Sequence, residues 1–384
     1  MDNELKKKID AHLGNMLINS MGLLLKSGPQ SKDKALKNPK KILLIKFWGI
    51  GNLIMLTPLI KAIREKFPKS QISFLTLSKN KGLFENLEYI DEVIYYDLGA
   101  MDTARIINLT LKYYEKFDVA IDFEQFLNIS SIIAHFLGKY SIGFSNKTRS
   151  RHKMYNHSIP LKTNIHAVEQ FYDLCKVLDI KSKSIKFENF DSIKKSDNVD
   201  SLFRKIGMTK KTKKPFLIGI HIGSSENAEV KRWPKRHFVE LINILNKKLD
   251  NLAFVMTGIE SEKHDMGAII GKIEKKNVYN SCGIFDLKDL IYLLKKCDLF
   301  ISNDTGPIHL AAAFGVKCVG LYGPTSPTLY GPYGKNHIIF YEKTRCSPCV
   351  NNYNSKSSDC KDAICMKKIR PNKVANVIID SIKN

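Results

Sequence analysis

The feature that most constrains this chain is a strand–helix alternation that runs twice and is interrupted once. Lys41–Phe47 (KILLIKF) is an apolar run ending in a glycine turn, and a helical pattern follows to about Lys66. Gln71–Leu77, Glu92–Tyr95, Asp118–Phe123 and Tyr140–Phe144 read as further strands, with helical segments at Asp102–Lys116 and Leu127–Leu137. Strands that are apolar throughout belong to parallel sheets covered on both faces. The series resumes with strand Phe216–His221, helix Arg236–Leu249, strand Leu252–Thr257, helix Asp286–Lys296 and strands flanking residue 304. Between the two series, 181–214 is polar and lysine-rich, as an interdomain connection is. The expected fold is α/β, with two Rossmann-like doubly wound domains facing a cleft. The expected divisions are a basic extension and linker 1–40, an N-terminal domain 41–200 and a C-terminal domain 201–384. The last of these carries a Cys-rich segment 346–365 and an amphipathic terminal helix at Asn372–Ile382. Ligands of such sheets bind beyond the carboxyl ends of the strands. The turns Gly49–Asn52, Phe123–Gln125, Gly223–Trp233, Gly258–Glu262 and Asp304–His309 are therefore where a site is expected.

Charge narrows the partners. A net charge of +23 favours polyanions: nucleic acid, an anionic membrane surface or phosphorylated substrates. Nucleic acid is disfavoured, because the lysines are scattered and neither a zinc-finger spacing nor an arginine-rich arm is present. No run reaches the roughly 18 apolar residues needed to span a bilayer. Residues 1–41 hold nine Lys against four acidic residues, and Leu13, Met16, Leu17, Met21, Leu24 and Leu25 fall close to helical spacing. Two placements fit that helix, on an anionic membrane surface or against the protein itself. Lys26-Ser27-Gly28-Pro29 follows it where a signal peptide would have a small-residue cleavage site, so a cytoplasmic protein, peripheral on the inner membrane at most, is expected.

Four cysteines, Cys175, Cys282, Cys297 and Cys318, have apolar or helical neighbours and read as reduced core residues. Cys346, Cys349, Cys360 and Cys365 form C-x2-C-x10-C-x4-C, a spacing open to a structural zinc or to loop-stabilising or redox-sensitive thiols.

Three turns carry chemistry. Asp304-Thr305-Gly306-Pro307-Ile308-His309 follows the apolar run Leu299–Ser302 and opens a helix with Pro307 near its start. Thr305 or Asp304 can cap that helix, Gly306 admits a ligand close to the backbone, and the first-turn N–H groups with the dipole favour an anion. His309 lies one turn inside. Ser224 and Ser225 with Lys231-Arg232-Trp233-Pro234 set hydroxyls, two cations and an aromatic face after a strand, suited to neutralising a diphosphate without metal. Glu260, after the next strand, suits ribose hydroxyls or simply a helix start. In the first domain Gly49 and Gly51 permit a close approach, although the strict G-x-G-x-x-G pattern is absent.

Together these segments resemble glycosyltransferase family 9, the heptosyltransferases of lipopolysaccharide core assembly. The carrying residues are Ile45–Pro58, Lys61–Pro68, Asp118–Asp122, His221–Ser225, Lys231–Pro234, Asp304–His309, Gly323–Pro327 and Cys346–Cys349. The resemblance covers roughly residues 41 to 384. It implies a GT-B architecture, an acceptor-side first domain and a second domain for a nucleotide-sugar. It further implies inverting, metal-independent transfer from an ADP-heptose-type donor to a lipid-linked or core oligosaccharide, with no cofactor required. By resemblance, Ser224 and Ser225 touch the phosphates, Glu260 the ribose, and Lys231 and the helix start the leaving group. One position departs. Asn52 stands where the characterised enzymes carry an aspartate proposed as base, and an amide cannot accept that proton. Three readings follow: the base lies at Asp122 or Glu124, another acceptor needs weaker base assistance, or the protein binds a nucleotide-sugar without transferring it. A GT-B enzyme using another nucleotide-sugar is a further alternative.

Overall fold

A computed structural model describes residues 3–24, 36–81, 83, 87–97, 103–180, 195–208, 214–224, 229–354 and 356–383. The chain divides into two compact units, 1–189 with 351–357, and 190–350 with 358–384.

Unit 1 begins with helix α1 (Asn3–Leu24), followed by β1 (Lys41–Ile45), α2 (Ile50–Lys66), β2 (Gln71–Thr76), β3 (Glu92–Tyr95), α3 (Thr103–Tyr113), β4 (Phe117–Asp122), α4 (Asn128–Leu137), β5 (Gly138–Ser145), β6 (His157–Pro160) and α5 (Ala167–Cys175). Its six strands are all parallel, in the order β3-β2-β1-β4-β5-β6. β1 and β4 are buried along nearly their whole length, which is why they lack an alternating pattern. Their register pairs Ile45 with Asp122, so the turns after both strands leave the sheet side by side at its switch point. One core packs Leu43, Ile45, Phe47, Leu75, Ile133 and Leu137 together.

Unit 2 contains α6 (Asp197–Lys205), β7 (Phe216–His221), α7 (Lys235–Lys248), β8 (Leu252–Thr257), α8 (Lys263–Ile270), β9 (Val278–Asn280), α9 (Leu287–Leu294), β10 (Leu299–Asn303), α10 (Gly306–Ala313), β11 (Lys317–Tyr322), α11 (Pro327–Tyr330), β12 (Ile338–Tyr341), α12 (Ile364–Lys368) and α13 (Pro371–Lys383). The strand order is β12-β11-β10-β7-β8-β9, again all parallel. β7 and β10 meet at the switch point with Ser302 beside His221.

Both sheets match the expected α/β class. The edge strands β6, β9 and β12 were not expected; each has three or four residues and is half-buried, too short for an apolar run. The division differs from the expected 200/201 boundary. The residues entering α6 belong to unit 2, where Ser196 Oγ and Asn198 Nδ2 donate to Asp289 at 2.6 and 2.8 Å. Residues 351–357 return to unit 1, where Asn146 Nδ2 donates to the Asn352 carbonyl and Thr148 Oγ1 to that of Tyr353. Of the two placements open to α1, the structure has it packed on α4.

Candidate active site

In unit 2 the turns after β7 and β10 are tied together by Asn303. Its Nδ2 donates to the carbonyls of Ile222 and Gly223, and its Oδ1 accepts from the Trp233 backbone at 3.0 Å. A fully buried amide with several partners fixes both loops at once. The next residue, Asp304, pairs through Oδ2 with Lys231 Nζ at 2.8 Å, and its Oδ1 lies 3.8 Å from His309 Nε2. Burial by itself would raise this carboxyl. Lys231 and His309 outweigh that and hold it far below the ordinary carboxylate range. Asp304 is thus a fixed anion that orients two donors. It is not itself suited to touch a diphosphate, and in this respect the expected donor contact becomes a positioning residue.

α10 opens at the same place. Thr305 is its N-cap in extended backbone, but no side chain caps the helix; Thr305 Oγ1 lies 3.0 Å from Ser302 Oγ instead. The expected cap by Thr305 or Asp304 is absent because both side chains are engaged elsewhere. Gly306 and Pro307 form the first turn, and one turn in, buried His309 has Nδ1 without a hydrogen-bond partner. Tyr322, at the end of β11, is buried close enough that desolvation, then the Asp304 charge, pushes its phenol well up.

The 231–234 segment departs from expectation at one position. Trp233 is 1 % exposed, stands edge-on to Phe238 at 4.8 Å and donates Nε1 to the Ile369 carbonyl at 2.9 Å. It is a core anchor for the loop, not an aromatic face for a ligand. Arg232 donates Nε to Ser224 Oγ at 3.0 Å and pairs with Glu229. Ser225 lies outside the described residues. Glu260 is exposed and pairs with Lys263 at 3.2 Å. Glu262, which the sequence did not single out, is the carboxylate that lies against Gly223, with Oε2 accepting from the Ile259 N–H at 3.0 Å. Its field also reaches buried His221, where desolvation lowers the imidazole pKa and Glu262 opposes that shift. A second acidic residue two positions past Glu260 was the available signal.

In unit 1 the turn after β1 places Gly49 at φ 87° as the N-cap of α2, a conformation open to glycine and costly for other residues. Gly51 and Asn52 follow in the buried first turn, with the Asn52 amide packed against Gly49. The carboxylates expected to replace the missing base do not suit that task. Glu124 accepts from Lys46 Nζ at 2.8 Å and from the Phe47 and Trp48 backbone N–H groups at 2.7 and 2.9 Å. Burial would raise it, but these donors outweigh burial and hold it below its ordinary value. Asp122 Oδ2 takes donors from Arg151, Tyr155 and Ser130 at 2.8, 2.6 and 2.6 Å, while Oδ1 takes the Glu124 N–H. Burial pushes its carboxyl up in spite of Arg151. Both are fully buried. They brace the β1 and β4 turns, and a base must reach the proton it abstracts. Arg151 and Tyr155, which the sequence did not single out, complete this cluster.

Of the late cysteines, Cys346 and Cys349 lie near enough to Cys365 to add to the desolvation that raises its thiol pKa. Cys346 is exposed beside Thr344 Oγ1, Cys349 lies near Ser358, Cys360 Sγ reaches the Asp362 carbonyl, and Cys365 is buried. Among the described residues no three His, Cys, Asp or Glu side chains gather as a metal would need. The zinc reading therefore gains no support from the geometry.

Known proteins decide the family. The sequence model of glycosyltransferase family 9 (heptosyltransferase) matches residues 110–358, well over half of the chain. The chain belongs to glycosyltransferase family 9. It is accordingly a glycosyltransferase, and the resemblance carried by its turns holds. Lipooligosaccharide heptosyltransferase 2 of Campylobacter jejuni is 27% identical over 338 residues, covering 87% of this chain and 96% of that protein. Lipopolysaccharide core heptosyltransferase OpsX of Haemophilus influenzae is 22% identical over 316 residues, covering 79% and 86%. Among solved structures, a family 9 glycosyl transferase from Veillonella parvula superposes with a TM-score of 0.69 at 22% identity, covering 91% of this chain and all of that one. Escherichia coli heptosyltransferase WaaC with ADP gives 0.65 at 17% identity, covering 88% and 99%. The two Rossmann-like units are those of the GT-B fold.

Proposed function

We propose that this enzyme moves a heptose-type sugar from a nucleoside-diphosphate donor, ADP-heptose by preference, to a lipopolysaccharide-core or related lipid-linked acceptor. The transfer is inverting and needs neither metal nor cofactor. It takes place at the anionic cytoplasmic face of the inner membrane. The observation that carries the donor half is the start of α10, which no side chain caps, with Lys231 held beside it by Asp304. Negative charge grows on the diphosphate as the bond to the anomeric carbon breaks. A fixed ammonium and the first-turn N–H groups stabilise that charge more in the transition state than in the bound donor. His309 supplies a further donor, Arg232 and Ser224 a second polar pair, and Glu262 or Glu260 a ribose acceptor. On the acceptor side Asn52 orients the attacking hydroxyl without taking its proton. With Asp122 and Glu124 engaged, the rate rests on leaving-group stabilisation, and the proton passes to solvent or to the departing diphosphate.

The relatives named for lipooligosaccharide and lipopolysaccharide heptose transfer support the donor and acceptor classes. Asn52 and the two engaged carboxylates support a second reading, in which the protein binds a nucleotide-sugar without turnover. Incubation with ADP-heptose and heptose-deficient core acceptor separates the two. Release of ADP with mass gain on the acceptor is expected, reduced about 100-fold or more by Lys231→Ala. Tight donor binding with no product, unchanged in Lys231→Ala, would favour the second reading. A thermal-shift screen of nucleotide-sugars identifies the donor, since the one bound most tightly stabilises most.

A further inference from the structure

Helix α1 docks largely through polar contacts and leaves some of its large apolar side chains outward. Its inward contacts are largely polar. Asp10 accepts from the backbone N–H groups of Asn128 and Ile129 at 2.8 and 2.9 Å, and Asn15 Oδ1 accepts from Asn128 Nδ2 and from the Ser150 N–H. Among the described side chains of α1, Ile18 with partly buried Met21 makes the apolar part of the seam, against Ile132 and Met154. Its outward side carries an apolar stripe, Leu13, Met16 and Leu17 being 40, 65 and 54% exposed, flanked by exposed Lys8, His12, Asn19 and Ser20. A second stripe lies nearby. Ile107, Leu111 and Tyr114, at i, i+4 and i+7 on and just after α3, are also exposed, Leu111 to 75%. α1 and α3 both pack on α4, and partly buried Ile129 and Phe136 of α4 lie between them. Right-handed β3-α3-β4 and β4-α4-β5 crossovers put α3 and α4 on one side of the sheet. Six of the twelve exposed large hydrophobic side chains among the described residues are therefore carried by the layer of helices on one side of the unit 1 sheet.

That face is cationic at its edges. Lys8 lies on α1, Arg105 and Lys112 on α3, and Lys116 just beyond it. The segment carrying Lys147 and Lys153 runs along α1, where Asn15 Nδ2 contacts the Thr148 carbonyl and Lys153 Nζ donates to Asn19 Oδ1. Asp10 is tied to α4, and exposed Glu115 follows α3. No helix among the described residues is long and apolar enough to cross a membrane. The geometry points to this α1–α4–α3 face as the surface by which the enzyme lies on an anionic bilayer, its leucine and methionine side chains entering the headgroup boundary and its lysines meeting lipid phosphates. A net charge of +23 favours an anionic surface and opposes a second copy of the same chain.

Vesicle flotation of the full chain without donor or acceptor tests the surface separately from the transfer reaction. Vesicles of phosphatidylcholine mixed with phosphatidylglycerol are compared with phosphatidylcholine alone. Preference for the anionic vesicles is expected. Met16→Glu/Leu17→Glu/Leu111→Glu should weaken their binding by about tenfold or more, and added salt should weaken wild-type binding. Ile284→Glu/Ile364→Glu, exposed positions of unit 2, should bind like wild type. Three outcomes would overturn the assignment. These are wild type left unbound by anionic vesicles, a triple variant that binds undiminished with its near-ultraviolet dichroism intact, and a wild-type dimer that the triple variant lacks.

Discussion

At the scale of single residues, the donor side is organised by a carboxylate that does not touch the donor. Asp304 is almost fully buried and holds Lys231 and His309, so its charge acts through theirs. Because its folded-state pKa is depressed, the ionised form contributes stability that is complete above the unfolded value of about 3.9 and is lost as the pH falls toward the folded value. Asp304→Asn should therefore destabilise unit 2 by roughly 1–3 kcal/mol near neutral pH, with a difference from wild type that narrows below about pH 4. Urea titrations at stepped pH check this, and a gap that stays constant or widens on acidification contradicts it. Trp233 shows how residue type can mislead. An indole beside two cations suggests a ligand-stacking face. Its nearest company is Phe238 and the Ile369 carbonyl, supplied from far along the chain.

At the scale of elements, helix ends explain more than helix propensities do. α4 begins after Leu127, a residue with no side-chain acceptor, and its first-turn N–H groups at Asn128 and Ile129 are satisfied by Asp10, 118 residues before Asn128 in the chain. An acceptor at that separation leaves no local sequence signature, so neither the cap nor the docking of α1 was readable. Asp10→Ala should cost about 1–2 kcal/mol and speed hydrogen exchange at the Asn128 and Ile129 amides, with Asp10→Asn intermediate. Unchanged exchange at those two amides would show that the cap contributes nothing. Burial outweighs these N–H donors and raises the Asp10 carboxyl pKa, so this group's contribution to folding does not fall on acidification. α10 is the contrasting case. Its start has no side-chain cap, and the Pro307 and Gly306 pattern that revealed it is local.

At the scale of the molecule, two parallel sheets were legible because their central strands are continuous apolar runs, and the turns at their switch points were legible because Gly, Pro, Asp and Thr punctuate them. What the sequence left open depended on partners distant in the chain. Whether Asp122 and Glu124 were free to act turned on Arg151, Tyr155 and Lys46, and the placing of 351–357 turned on Asn146 and Thr148. The two-unit organisation also offers a direct test of where the donor binds. The chain has two tryptophans, Trp48 in unit 1 and buried Trp233 in unit 2, so Trp48→Phe leaves a single reporter inside the nucleotide-binding candidate. A ligand that binds only the folded unit raises its unfolding free energy by RT ln(1 + [L]/Kd), about 2.7 kcal/mol at a hundredfold excess over Kd. ADP should therefore shift the Trp233-reported urea midpoint upward, and Lys231→Ala should remove most of that shift. If calorimetry shows ADP bound while the Trp233 transition stays in place, the nucleotide is held elsewhere, and the α10 start with Lys231 loses its role.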